Sequence, residues 1–240
     1  MNLLQIRTKF REISGRFDLV NADFSDNGAD FFLNEGRKFL DRLDETQKSW
    51  ASAFRFVNIG GFSAQFQQCR AIKEVWATST TSRWQLEKMS LQELIAEYLT
   101  DAPADRAVGC PLYYCPAITR YIPENAPLAD FEAFIGWVDI PAGPAHGYNS
   151  ILINVPAEEK IFLEIKGLFY SFELTLDTDT NYWSVMHPLL LIMAAMRQIE
   201  IFNRNTQGVN DWTGSITFEM KQLGMDLVEE LIAEVTQIEG

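Results

Sequence analysis

Apolar positions recur at helical spacing at both ends of the chain and follow strand-like patterns between them. Leu3, Ile6, Phe10, Ile13 and Phe17 are separated by 3, 4, 3 and 4 residues, one face of a helix, with Gly15 weakening its far end. The turn cluster NADFSDNGAD (21–30) follows, and Asp23 and Ser25 within it are candidate N-caps. A second helix is expected over about residues 27–43. Phe32, Gly36, Phe39, Leu40 and Leu43 share one side of it, while Arg37, Lys38, Asp41 and Arg42 decorate the other. Gly36 inside the apolar stripe implies close approach of a neighbouring backbone. Together the two helices read as a helical hairpin.

From about residue 50 the texture changes. FRFVNIGGF, AIKEVWATSTTSRWQLEKM, PLYYCPAITRYI, FIGWVDI, SILINV and KIFLEIKGLFYSFELTL are rich in β-branched and aromatic residues with turn residues between them. ATSTTSR reads as a hairpin tip and NIGGFS as a tight turn between strands. SLQELIAEYL opens with Ser90 and Glu93, a capping box for one short helix. DIPAGPAHGYN (139–149) reads as a surface loop.

After LDTDTN (176–181) helical spacing returns. A helix of about residues 183–204 contains HPLLLIMAAMRQ, which is hydrophobic nearly all round. Leu189, Ile192, Met196 and Ile199 form one stripe; Leu191, Ala194, Ala195 and Phe202 cover another side. Such a helix is covered on several sides, by its own fold or by a neighbouring subunit, and Ala194–Ala195 lets another helix come close. RNTQGVND breaks it. A last helix, about residues 212–237, carries Ile216, Met220, Leu223, Leu227, Leu231 and Val235 along one side. The expected fold class is therefore α+β: a helical bundle of an N-terminal helical hairpin (1–48) and a C-terminal helix pair (180–240), with a large β-rich insertion (49–179).

Composition narrows the function. The chain has 240 residues, 47% apolar and 22% charged, enough for a substantial core. It holds no apolar run long enough to span a bilayer and no signal-peptide h-region. Three cysteines (Cys69, Cys110, Cys115) suit a reducing compartment better than a disulfide scaffold. The net charge of −13 is uneven: residues 1–100 hold 13 basic and 13 acidic side chains, whereas residues 101–240 hold 7 and 20. That surface does not favour phosphate backbones.

Motifs for chemistry are sparse. NIGGFS lacks the spacing of a phosphate-binding loop. The two histidines, His146 and His187, accompany no nucleophile signature, and His187 reads as the residue that starts a helix. CPLYYC lacks the second ligand pair of a zinc site, and Cys115 reads as a small buried hydrophobe. DTDTN (177–181) begins like a calcium loop but places Tyr182 and Pro188 where glycine and glutamate are needed. Asp179, Thr180 or Asn181 instead caps the next helix. Glu158–Glu159 and Glu229–Glu230 read as solvated pairs rather than a glycosidase dyad. No catalytic, cofactor or metal residue is assigned, and an enzyme is not expected.

LLQIRTKFREISGR, NGADFFLNEGRKFLDRL, GCPLYYCP and GLFYSFELTLDTDTNYWSVMHPLLLIMAAMRQIEIFNRN resemble the head-to-tail adaptor (connector) proteins of tailed bacteriophages, in the podovirus type with a large β insertion. The resemblance implies a structural virion protein of the neck, made in the host cytoplasm, forming a ring of about twelve copies beneath the portal. Tail or nozzle proteins would bind its other face, and DNA would pass without specific binding, cofactor or membrane. The segment DLVEELIAEVTQIEG is the candidate portal contact: Leu227, Leu231 and Val235 form an apolar stripe beside Glu229, Glu230 and Glu234. At −13 per copy, such a ring carries roughly −160 charges, which keeps passing DNA from sticking. Three alternatives stand beside this reading. They are a stopper or tail-completion protein, a carboxylate-dependent soluble enzyme, and a binding module using Trp76, Trp84 or Trp137.

Overall fold

The computed structural model describes residues 1–44, 50–100, 105–117 and 148–236, with side chains described as far as Gly224 except at Ala117 and Tyr148. The chain divides into two compact units of equal length. One is Trp50–Phe169; the other joins Met1–Ser49 to Tyr170–Gly240.

The first unit is a sheet of β1 (Trp50–Val57), β2 (Ser63–Gln67), β3 (Cys69–Thr78), β4 (Arg83–Lys88), β5 (Tyr113–Ala117), β6 (Tyr148–Ile153) and β7 (Ile161–Phe169), with α3 (Leu91–Tyr98) after β4. The spatial order is β1-β7-β3-β4-β5-β6-β2, antiparallel except for the short β4–β5 pair. The two end strands meet at a seam, where Arg55 Nε on β1 donates to the Gln65 carbonyl on β2 at 2.6 Å. The sheet is thus nearly closed and barrel-like. Alternation explains its core. Ile161, Leu163 and Ile165 of β7 point inward with Val75, Ala77 and Ile151, whereas Phe162, Glu164 and Lys166 point outward. ATSTTSR is the β3–β4 hairpin tip, and Ser90 and Glu93 form the capping box of α3.

This architecture overturns the expected α+β helical bundle with a β-rich insertion. The chain is mixed α/β, 41% helix and 28% strand, with a sheet that buries its own core. It is no appendage to a bundle. The β4–α3–β5 crossover also supplies a parallel pair that strict segregation of helices and strands does not.

The second unit holds α1 (Leu3–Ser14), α2 (Ala29–Leu43), α4 (Tyr182–Met186), α5 (Pro188–Phe202) and α6 (Thr206–Thr236). Asn2 and Gln5 form a capping box on α1, which ends at Gly15 in the left-handed region (φ 64°). Leu3, Ile6 and Phe10 are buried, but Ile13, in the last turn, and Phe17, beyond the glycine that ends the helix, are exposed. The cap before α2 is neither Asp23 nor Ser25. Asp26 Oδ1 accepts from the backbone N–H groups of Gly28 and Asp30. The expected single helix of 183–204 is two. The residue before a proline avoids helical angles, so His187 (φ −136°, ψ 58°) separates α4 from α5, and Pro188 opens α5. α6 starts earlier than its apolar stripe suggests. Asn205 accepts from the Gly208 and Val209 N–H groups, confining the break to residues 203–205.

α5 is the central helix. Leu190, Leu191, Ile192, Ala194, Ala195 and Ile199 are buried against α1, α2 and the first half of α6. A Cβ on Gly36 would lie 2.7 Å from Ala195 N and 2.9 Å from the Ala194 carbonyl carbon, so α2 crosses α5 backbone to backbone. Cover is incomplete only at its ends: Leu189 at its start and Ile201 and Phe202 at its close are exposed, Phe202 by 74%.

Candidate functional site

A polar ladder on α2 grips the chain that enters α4. Asp30, Asn34, Arg37 and Asp41 are spaced 4, 3 and 4 residues apart, one helical stripe. Asn34 Nδ2 donates to the Leu174 carbonyl at 2.9 Å, and Leu174 N donates back to Asn34 Oδ1 at 3.0 Å. The amide thus imitates a neighbouring strand. Arg37 Nη1 donates to the Ser171 carbonyl. Asp41 accepts from Ser171 N (3.0 Å), Ser171 Oγ (2.7 Å) and Trp183 Nε1 (2.7 Å). Arg7 joins Asp30 (2.7 Å) to Asp177 (3.0 Å). Burial pushes the Arg37 guanidinium down, opposed by the Asp41 carboxylate; the Asp30 and Asp177 carboxylates raise that of Arg7. The sequence reading put Arg37 and Asp41 on the solvent side, yet they are 2% and 7% exposed.

This ladder also accounts for DTDTN. Asp177 pairs with Arg7. Asp179 accepts from Thr175 N, Thr175 Oγ1 and Leu176 N, and those hydrogen bonds hold its carboxyl below the usual range. Asn181 is the N-cap of α4. Both acids are engaged in holding the turn, and no group of three metal-binding side chains occurs among the described residues.

The cysteines are poorly disposed to attack. Burial pushes the Cys69 thiol up to about 11. Cys110 is exposed, but partial desolvation and the charges of Glu158 and Glu159 raise it; burial raises Cys115, which is 2% exposed. In native protein at pH 8, an alkylating reagent is expected to modify Cys110 slowly and Cys69 and Cys115 only after denaturation. Mass spectrometry of the labelled peptides checks this, and rapid native labelling of Cys69 would contradict it. His187 lies 3.4 Å from the Tyr182 hydroxyl, inside an aromatic cluster with Trp183, where it touches no nucleophile. His146 lies outside the described residues.

Two surfaces remain. In the helical unit, Phe17, Phe31, Phe172, Leu176, Phe202 and Phe218 are each more than 60% exposed. Phe32 bridges two of them, 5.4 Å from Phe31 and 6.0 Å from Phe202. In the sheet unit, Phe54, Phe56 and Phe162 cluster on the outer face, with Phe54 and Phe162 stacked at 5.3 Å. Trp76 sits beneath Arg83 (5.0 Å) and Lys166 (5.8 Å) and donates to Glu74. Trp84 donates to the Pro111 carbonyl. Trp137 lies outside the described residues. A surface cleft opens where β3 and β4 part beyond the Val75–Leu86 pair; Lys73 and Lys88 line it with Glu74 and Glu87 in equal number.

The residues expected to touch a portal (Leu227, Glu229, Glu230, Leu231, Glu234 and Val235) fall on the second half of α6, whose backbone is helical to Thr236; their side chains lie outside the described residues. Comparison of the chain with protein-family models and with curated proteins returned no match. No helix among the described residues is long and apolar enough to cross a membrane.

Proposed function

We propose that this chain is a structural component of a tailed-bacteriophage neck, a head-to-tail adaptor that assembles as a ring between portal and tail and lets DNA through. The observation that carries the reading is the helical unit's apolar surface. The unit has a buried core of its own among the described residues, yet aromatic and aliphatic side chains on α2, α5, α6 and the segment 170–181 stand in water. Among them the rings of Phe31, Phe32 and Phe202 adjoin one another, and a contiguous exposed apolar patch marks a contact with another protein. The chemistry agrees: the described thiols are not activated, and the described acids of DTDTN are committed to hydrogen bonds. An assembly role asks for surfaces of this kind rather than for a reactive group.

The test is native mass spectrometry and electron microscopy of the purified chain with and without the portal ring of its own phage. The expected result is a monomer or small oligomer alone and a ring of many copies on the portal. A chain indifferent to portal would remove the reading.

A further inference from the structure

We propose that the cleft where β3 and β4 part binds a small zwitterion, a molecule with one carboxylate and one ammonium group. The carboxylate meets Tyr114 and Lys88, and the ammonium lies toward Glu87 and Glu74. This site goes beyond the adaptor reading and does not depend on it.

Strand pairing opens the cleft. β3 and β4 pair from Thr78–Arg83 only as far as Val75–Leu86. Just beyond, β3 carries a bulge. Ile72 and Glu74 stand opposite the adjacent residues Gly167 and Lys166, so Lys73 is the extra residue, and it is exposed. Along its other edge β4 pairs with β5, where Lys88 stands opposite Tyr114, and Tyr114 reaches the cleft from there. The gap has a volume of about 330 Å³, at the small end of the range for ligand sites, about 300–1,000 Å³.

The groups around it are polar and left without partners. Leu86 and Tyr114, 2% and 3% exposed, line the cleft as part of the sheet's own core. The Tyr114 hydroxyl has no hydrogen-bond partner among the described residues, although a buried phenol ordinarily finds one. Burial pushes that phenol up, so it stays protonated and is free to donate. Alternation puts Lys88 on the Leu86 side of β4 and Glu87 on the other, as it puts Glu74 opposite in sense to Val75 on β3. Lys73, Glu87 and Lys88 form no ion pair or side-chain hydrogen bond among the described residues, and Glu74 accepts from Trp76 Nε1 at 2.9 Å. Two cations and two anions thus surround one cleft without neutralising each other. A simple anion would be drawn by the lysines and repelled by the acids. A zwitterion suits both: its carboxylate accepts from the Tyr114 hydroxyl and the lysine ammonium groups, and its own ammonium donates to Glu87 and Glu74. Burial sets the orientation, because Tyr114 lies deep while Glu87 is exposed.

Saturation-transfer NMR and titration calorimetry of the full chain test the site. Glycine, β-alanine and γ-aminobutyrate are the probes, since they differ only in the separation of their charges; acetate and methylammonium are the single-charge controls. At least one zwitterion is expected to bind about tenfold or more tightly than either control. Tyr114→Phe removes only the hydroxyl and is expected to weaken that zwitterion about tenfold. Lys88→Gln, at an exposed position, is expected to give a similar loss and serves if Tyr114→Phe does not fold, which melting curves check. Glu87→Gln is expected to act in two directions: the zwitterion binds more weakly and acetate more tightly, because one repelling acid is gone. The site is overturned if no probe binds, if acetate binds as tightly as every zwitterion, or if the folded variants bind the zwitterion like wild type. Acetate unaffected by Glu87→Gln would also overturn it, since the acid would then lie outside the site.

Discussion

Asp41→Ala is expected to destabilise the helical unit by about 3–5 kcal/mol. The carboxylate is 7% exposed and accepts from the Ser171 backbone N–H, the Ser171 hydroxyl and the Trp183 indole N–H. Alanine strands those donors away from water, each at a cost of about 1–3 kcal/mol before relaxation. It also removes the negative charge that offsets burial of the Arg37 guanidinium. Asp41→Asn keeps an acceptor but turns an amide N–H toward donors, so its loss should be smaller than that of alanine and larger than that of a surface change. Urea unfolding followed by tryptophan fluorescence measures both. A change within about 0.5 kcal/mol for alanine, typical of an exposed position, would return Asp41 to the solvent side of α2.

Gly36→Ala separates two forces of opposite sign. Helix propensity alone favours alanine by about 1 kcal/mol in a helix interior. Packing opposes it. The new Cβ would meet Ala195 N at 2.7 Å, the Ala194 carbonyl carbon at 2.9 Å and Ala195 Cα at 3.1 Å. All three are backbone atoms of α5, so no rotamer change relieves the clash and the two helices must separate. The expected net result is a loss of about 1–3 kcal/mol, with a melting temperature lower by several degrees. Ala195→Gly should not rescue the variant, because the obstacle is the helix backbone and not the Ala195 methyl. A stabilised Gly36→Ala protein, or a rescue by Ala195→Gly, would rule out the close crossing.

These two positions mark how far the sequence could be read. The Gly36 prediction worked because a glycine inside an apolar stripe has one economical explanation, a backbone nearby, and Ala194–Ala195 supplied it. Asp41 and Arg37 failed because local periodicity assigns charged residues to water. Their partners, Ser171 and Trp183, lie more than 120 residues away. The spacing of Asp30, Asn34, Arg37 and Asp41 was the available signal, a polar stripe as regular as the apolar one beside it. The break at His187 was half legible: the residue before Pro188 reads as a helix start, as it is, but the spacing from about residue 183 hid the separate turn of helix before it. The near-closure of the sheet was not legible. It depends on β7 inserting between β1 and β3, and strand order is set by long-range pairing that alternation along one strand does not encode. On the candidate surfaces, alternation in β1 and β7 did carry information: Phe54, Phe56 and Phe162 fall on the polar side of their strands, an exception visible once register is known.

The reach of the α2 ladder has a consequence during synthesis. Trp183 follows Asp41 by 142 residues. At about 5–20 residues per second, the ribosome takes roughly 7–30 s to deliver it. Through that interval α1 and α2 emerge with no α5 to cover Leu33, Gly36 and Leu40, while Trp50–Phe169 is produced as one uninterrupted stretch. The sheet unit is therefore free to fold first, and the newborn N-terminal hairpin is the part of the polypeptide that most needs a chaperone until the last third arrives.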